Sequence, residues 1–206
     1  KHHQFRRDFP EYEHIGSEYQ KLGLSPKERM TRRFELLTSL ETPVLLPDER
    51  IAYLRTVRTI PDCFTAEEWA EIKKTHYIHE LGYLSNLSPN YADAIRSGLL
   101  EKRKTADSYG QRMIDAIIRL ADRYRDEAIR QGRGALAEVL TQVPRYGARN
   151  FREALQFFRI LHYSLWLEGN YHNTVGRFDQ YMYPYLCADM RKGLYTRESA
   201  LTLLED

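Results

Sequence analysis

Cysteine is scarce in this chain: Cys63 and Cys187 stand far apart and in no C-x-x-C pattern. That excludes a disulfide framework and points to a reducing cytoplasm, with both thiols read as small buried hydrophobes. No apolar run reaches the length of a membrane span; residues 160–167 are interrupted by His162 and Ser164. The start, Lys1-His2-His3-Gln4-Phe5-Arg6-Arg7, lacks the apolar centre of a signal peptide and an initiator methionine. Neither sign of charge dominates, since 31 basic and 29 acidic side chains leave +2 over 206 residues. Nucleic-acid binding is therefore not expected. Arg6-Arg7 and Arg32-Arg33 are short basic runs interleaved with acids and read as solvated helix faces. Gly132-Arg133-Gly134 has no strand before it, so no glycine loop is expected to cradle a nucleotide. His76 and His79 lie one helical turn apart, but no third ligand stands at a recognisable spacing, so no metal site is expected.

Helix signals, by contrast, are abundant, and 42% apolar residues suffice for a core. Ser25-Pro26-Lys27-Glu28 reads as a capping box with proline in the first turn, opening a helix to about Leu40. Pro43 and Pro47 break the pattern, and Ile51-Ala52-Tyr53-Leu54 reads as a short strand. Thr65-Ala66-Glu67-Glu68 opens a helix carrying Trp69, Ile72 and Tyr77 and fading near Gly82. Ser88-Pro89 starts a short helix that Gly98 ends. The longest helix spans about 105–131, with Met113, Ile114, Ile117, Ile118, Ala121, Tyr124 and Ala128 at three- and four-residue spacing. A shorter one over 135–143 is stopped by Pro144. Asn150 with Glu153 caps a helix that is apolar nearly all round, so it is expected to be buried on several sides, and Gly169 ends it. Thr196 caps a last helix, within which the chain stops. The expected class is mainly α.

The segment after Gly169 is the most polar stretch attached to an apolar element. Tyr171, His172, Asn173, Arg177 and Asp179 follow one another within it, as in a site lining. Asp179 and Tyr171 can hold a hydroxyl or amine by hydrogen bonds; His172 is a fallback general base, and Arg177 can grip a carboxylate bidentately. The plainer readings are an Asp179–Arg177 pair or a helix cap, and a packed Tyr171 ring.

Gly176-Arg177-Phe178-Asp179-Gln180-Tyr181 also resembles the G-R-F-D-Q-Y stretch of glycyl radical enzymes, the relatives of pyruvate formate-lyase. Pro47-Asp48-Glu49-Arg50-Ile51, Ser85-Asn86-Leu87-Ser88-Pro89-Asn90-Tyr91 with Gly98-Leu99, the Glu153-Ala154-Leu155-Gln156 helix and Gly193-Leu194-Tyr195-Thr196 resemble further family segments in the same order. The likeness covers residues 41–206, behind a helical lead-in over 1–40. Two departures are Ser85-Asn86 for the family's G-H, and Ala52-Tyr53 where a glycine is usual.

The resemblance implies the amino-terminal portion of a ten-stranded α/β barrel, and a glycyl radical lyase, dehydratase or formate acetyltransferase-like activity on a small molecule. It implies a substrate pocket faced by Asp179 and Tyr171. It also implies a glycyl radical installed by an S-adenosylmethionine iron–sulfur activating enzyme, a homodimer and no directly bound cofactor. Neither Asp62-Cys63 nor Leu186-Cys187 matches the family's G-C-x-E thiyl loop, and no R-V-x-G-Y loop is present, so this stretch alone is expected to be catalytically silent. The alternative is a non-catalytic helical interaction domain derived from that family.

Overall fold

The computed structural model describes residues 2–75, 87–170 and 172–205, with side chains from residue 4 onward. Among the described residues two short 3-10 turns lead into ten α-helices: α1 (Ile15–Lys21), α2 (Pro26–Leu40), α3 (Ala66–Thr75), α4 (Tyr91–Ser97), α5 (Leu99–Arg103), α6 (Ser108–Arg130), α7 (Gly134–Gln142), α8 (Phe151–Leu167), α9 (Phe178–Arg191) and α10 (Arg197–Leu204). No strand occurs among the described residues; there are two isolated parallel bridges, Arg7 with Val57 and Leu87 with Asn173. No helix among them is long and apolar enough to cross a membrane.

The helix starts follow local chemistry. Ser25 accepts the Glu28 amide at 3.3 Å, but the Glu28 carboxylate turns to Arg32 and Arg112, so only half of that box forms. At α3 the box is complete: Thr65 Oγ1 accepts from the Glu68 amide at 3.2 Å and Glu68 accepts from the Thr65 amide at 3.0 Å. Asn90, not Ser88, caps α4, because its side chain reaches the Asp93 amide. Asn150 accepts the Glu153 amide, while Glu153 itself turns back to the Arg149 amide and guanidinium. Tyr77, Gly82, Ser85-Asn86, His76 and His79 lie outside the described residues.

α6 is the central helix, packed between α2 and α7; α8 lies against α4, α7 and α9. Because α6 has neighbours on two sides, Ala116 and Leu120 are buried beside the expected Ile118, Ala121, Tyr124 and Ala128. One core gathers Phe34, Leu37, Tyr124, Leu140 and Ile160. A second, around Ile95, Val139, Phe151, Phe157, Met182 and Leu203, joins α4, α7, α8, α9 and α10. α8 is buried along most of its surface, although Trp166, expected inside, is exposed.

Residues 51–54 do not form the expected strand. They run through the core with their backbone groups taken by side chains. The Gln156 amide accepts from Ala52 N at 2.8 Å and donates to Ala52 O at 3.2 Å. The Tyr124 hydroxyl serves Leu54 N and O in the same way, both at 3.1 Å. Tyr53 has φ +103°, which breaks the pleat, and its ring stacks on Tyr124 at 4.2 Å. The segment is thus satisfied without a neighbouring strand. Gln156→Leu would strand both Ala52 groups in the core, and urea unfolding is expected to show a loss of about 2–3 kcal/mol. Unchanged stability would mean that Gln156 is dispensable to the crossing.

α9 was not expected from sequence. Pro184 sits inside it and removes the amide that would reach the Gln180 carbonyl, while Tyr183 and Met190 face solvent. Met182 and Asp189 hold it to the core. Asp189 is buried and accepts the Phe151 amide at 2.8 Å, so α9 caps the start of α8.

Candidate functional site

The polar segment is suspended between two fixed points, the end of α8 and the start of α9. At the first, Glu168 is the C-terminal cap of α8, and Gly169 takes the left-handed conformation (φ +87°) that turns the chain out of the helix. Glu168 is only 6% exposed, and Arg33 of α2, fully buried, reaches both its carboxylate (2.8 Å) and its backbone carbonyl (3.2 Å). Burial pushes the Glu168 carboxyl above its ordinary range, opposed by the Arg33 guanidinium. Reading Arg33 as part of a solvated face was wrong. Arg29, Arg33 and Leu37 recur every four residues on the core side of α2, and all three are buried. That spacing was the available signal, with the charge hiding it.

Beyond Asn170 the chain is held by Leu87, whose amide donates to the His172 carbonyl at 3.1 Å and whose carbonyl accepts from the Thr174 amide at 2.9 Å. His172 is half-buried there. Tyr171 lies outside the described residues. Gly176 (φ +59°) then turns the chain into α9.

Arg177 and Asp179 come together at the start of α9. Nε donates to Oδ1 at 3.0 Å and Nη2 to Oδ2 at 2.7 Å, a bidentate fork. Both are at the surface, Asp179 with 66% of its side chain exposed. The Arg177 guanidinium holds the Asp179 carboxyl below its usual value, helped by amides in the first turn of the helix. The plainer reading, an Arg177–Asp179 pair, is therefore present in the fold. It keeps a carboxylate ionised and facing outward from a fixed helix end.

Tyr181 ties this edge inward, donating from its hydroxyl to the Val175 carbonyl at 2.8 Å. Its ring lies 6.2 Å from that of Tyr91, whose hydroxyl meets His162 Nδ1 at 2.9 Å. Behind these rings lies an apolar cavity of about 220 Å³, lined by Phe34, Tyr91, Met113 and Leu165, with Glu168 and Ser164 in its wall.

Cys63 is fully buried and its thiol is pushed up to about 11 by burial, the state of an inert packing thiol. Cys187 is half-buried on α9. Among the described residues no group of three or more His, Cys, Asp or Glu side chains is placed to hold a metal.

A family model described as pyruvate formate lyase-like matches residues 86–206, more than half of the chain. The isethionate sulfite-lyase of Oleidesulfovibrio alaskensis is 42% identical over 72 residues, 34% of this chain and 9% of its own length. The (2S)-3-sulfopropanediol dehydratase of Klebsiella oxytoca is 28% identical over 125 residues, 59% of this chain and 15% of its own. The chain thus spans less than a sixth of the length of either curated relative. A solved structure concerning 1,2-propanediol dehydration in Roseburia inulinivorans superposes with a TM-score of 0.70 at 21% identity, over 96% of this chain and 34% of that one. At that identity the likeness speaks for the fold. The match through the bridge at Leu87, the α8 helix and the Arg177–Asp179 turn places this chain in the pyruvate formate lyase-like family.

Proposed function

We propose that this chain is the amino-terminal, largely helical part of a glycyl radical enzyme of the dehydratase or lyase kind. Such an enzyme cleaves a carbon–carbon or carbon–heteroatom bond of a small molecule inside a ten-stranded α/β barrel. The observation that carries this reading is the Arg177–Asp179 fork, an ionised carboxylate held outward at the start of α9 inside the family's G-R-F-D-Q motif. Named relatives act as a dehydratase and a sulfite-lyase, which supports elimination chemistry over acyl transfer.

In this reading Asp179 accepts a hydrogen bond from a hydroxyl or amine of the substrate, and Tyr171 offers a second polar group. Arg177 keeps Asp179 ionised, and His172 stands beside Tyr171 on the stretch pinned by Leu87. The radical itself would supply hydrogen abstraction from the substrate, from residues other than the buried Cys63. An activating enzyme with an iron–sulfur cluster and S-adenosylmethionine would install it, and a homodimer in a reducing cytoplasm completes the proposal.

The test is Asp179→Asn in the anaerobically activated whole enzyme. Loss of one hydrogen bond to a charged acceptor, about 1.5–3 kcal/mol, is expected to lower kcat/KM roughly 10- to 100-fold while the radical signal persists. Unchanged turnover removes Asp179 from the site; absence of any radical signal in the activated wild type removes the enzyme reading.

A further inference from the structure

Arg177 and Asp179 are both exposed, so their fork is held in place by the residue between them. Phe178 meets the Phe158 ring of α8 edge-on at 5.1 Å. Tyr181, three positions along α9, lies 5.7 Å from Phe178 and 6.2 Å from Tyr91 of α4. Both lines of rings converge on His162. Its imidazole stacks on Phe158, 5.6 Å between centroids and 17° between planes, and its Nδ1 meets the Tyr91 hydroxyl at 2.9 Å.

Tyr91 is 2% exposed, and burial pushes its phenol up to about 12. Its hydroxyl therefore keeps its proton and needs an acceptor. Among the described residues that acceptor is His162 Nδ1. An accepting Nδ1 requires a neutral imidazole with its proton on Nε2. Burial, with the Arg159 guanidinium adding to it, holds His162 below its ordinary 6.5 and so favours that form at neutral pH. The groups around the ring agree. α4 presents the neutral Tyr91, and α8 itself carries Arg159 and Tyr163. The pocket that His162 borders on its other side is lined by Arg6, Arg55 and Arg58, the last paired with Asp8, and by no carboxylate. Protonation of His162 turns Nδ1 into a donor, leaves the Tyr91 proton without its acceptor and sets a charge among packed rings.

We propose that His162 is a positioning residue for the substrate site: as a neutral acceptor it fixes Tyr91, and through Phe158, Phe178 and Tyr181 it sets the Arg177–Asp179 fork. This role rests on the glycyl radical reading of Asp179 given above.

Steady-state kinetics of the anaerobically activated whole enzyme between about pH 5.5 and 8 test it. Tyr91→Phe and His162→Phe keep an aromatic ring and delete the hydrogen bond from either side. Each is expected to raise KM roughly 2- to 10-fold at about pH 7.5, with kcat within about twofold of wild type. Combined, they should cost no more than either alone, because both remove the same bond. His162→Asn, whose amide oxygen can stand near the place of Nδ1, should return KM to the wild-type value at that pH. In wild type KM should climb as pH falls below 6.5, through the folded-state pKa of His162, and His162→Asn should lack this rise. A normal radical signal with KM indifferent to Tyr91→Phe and His162→Phe would overturn the role of His162. So would additive losses in the double variant, or an acid rise of KM that persists in His162→Asn. No radical signal in activated wild type would instead remove the enzyme reading, and this role with it.

Discussion

Arg33→Met is expected to destabilise the chain by about 3–5 kcal/mol near neutral pH, because it leaves the buried Glu168 carboxylate without its counter-charge. For a chain of this size that corresponds to a fall in Tm on the order of 10 °C. The loss has a pH signature. Glu168 is raised above its ordinary value of 4.5 in the folded state, by burial, with Arg33 opposing. A group raised on folding contributes stability that is fully present below its unfolded pKa and is lost as pH rises through its folded pKa. Removing Arg33 raises the folded value further. The penalty is therefore smallest below about pH 4.5, where the carboxyl is protonated in both states, and largest above neutrality. Urea unfolding at both pH values measures it. The double variant Arg33→Met, Glu168→Met, which replaces the pair with packed apolar chains, should recover most of the loss. A penalty equal at both pH values would show that Arg33 acts by packing alone.

The consequence reaches the polar segment. Arg33 holds the carboxylate and the carbonyl of the last residue before Gly169, so it fixes where the chain leaves α8. Arg177 and Asp179 start from that point. On the proposed glycyl radical reading, the milder Glu168→Gln is expected to perturb substrate affinity more than Cys63→Ala, which removes a remote, buried thiol.

Periodicity and caps made the helices legible. The spacing of α6 and the Thr65–Glu68 box translate directly into hydrogen bonds and buried stripes. Three things were hidden, each for a physical reason. Residues 51–54 have strand-like composition, but a strand also needs a neighbour, and here Gln156 and Tyr124 replace one from more than 60 positions away. α9 was masked by Pro184, since an internal proline normally argues against a helix. Arg33 was masked because composition records net charge, and a balance of +2 says nothing about which charge is buried. For the candidate site, the Arg177–Asp179 proximity follows from sequence alone, being two positions apart at a helix start. Glu168's burial depends on α2, far away in the chain, and no local pattern carries it.

Gly98→Ala is the second large effect, expected to cost about 3–5 kcal/mol by combining a forbidden backbone conformation with a collision. Gly98 has φ +84° and ψ 155°, a region that glycine alone occupies comfortably. A Cβ there would stand 2.5 Å from the Arg145 carbonyl oxygen and 2.6 Å from Tyr146 Cα. That backbone cannot withdraw, because it is laced to the same turn: Leu99 N donates to Pro144 O at 2.8 Å, Leu100 N to Arg145 O at 3.1 Å and Ala148 N to Ile95 O at 2.8 Å. Gly147 opposes Gly98 across this crossing, and a Cβ on it would meet the Arg96 carbonyl. Two controls separate the causes. Gly132→Ala shares the positive φ (+70°) but has open space around it, so it should cost only the conformational part, roughly 1 kcal/mol. Gly134→Ala has neither problem and lies at the start of α7, so it should be neutral or stabilising by up to about 1 kcal/mol. If Gly98→Ala unfolds at the same urea concentration as Gly132→Ala, the collision is relieved by movement, and the 95–100 and 144–148 backbones are not the rigid crossing that their hydrogen bonds describe.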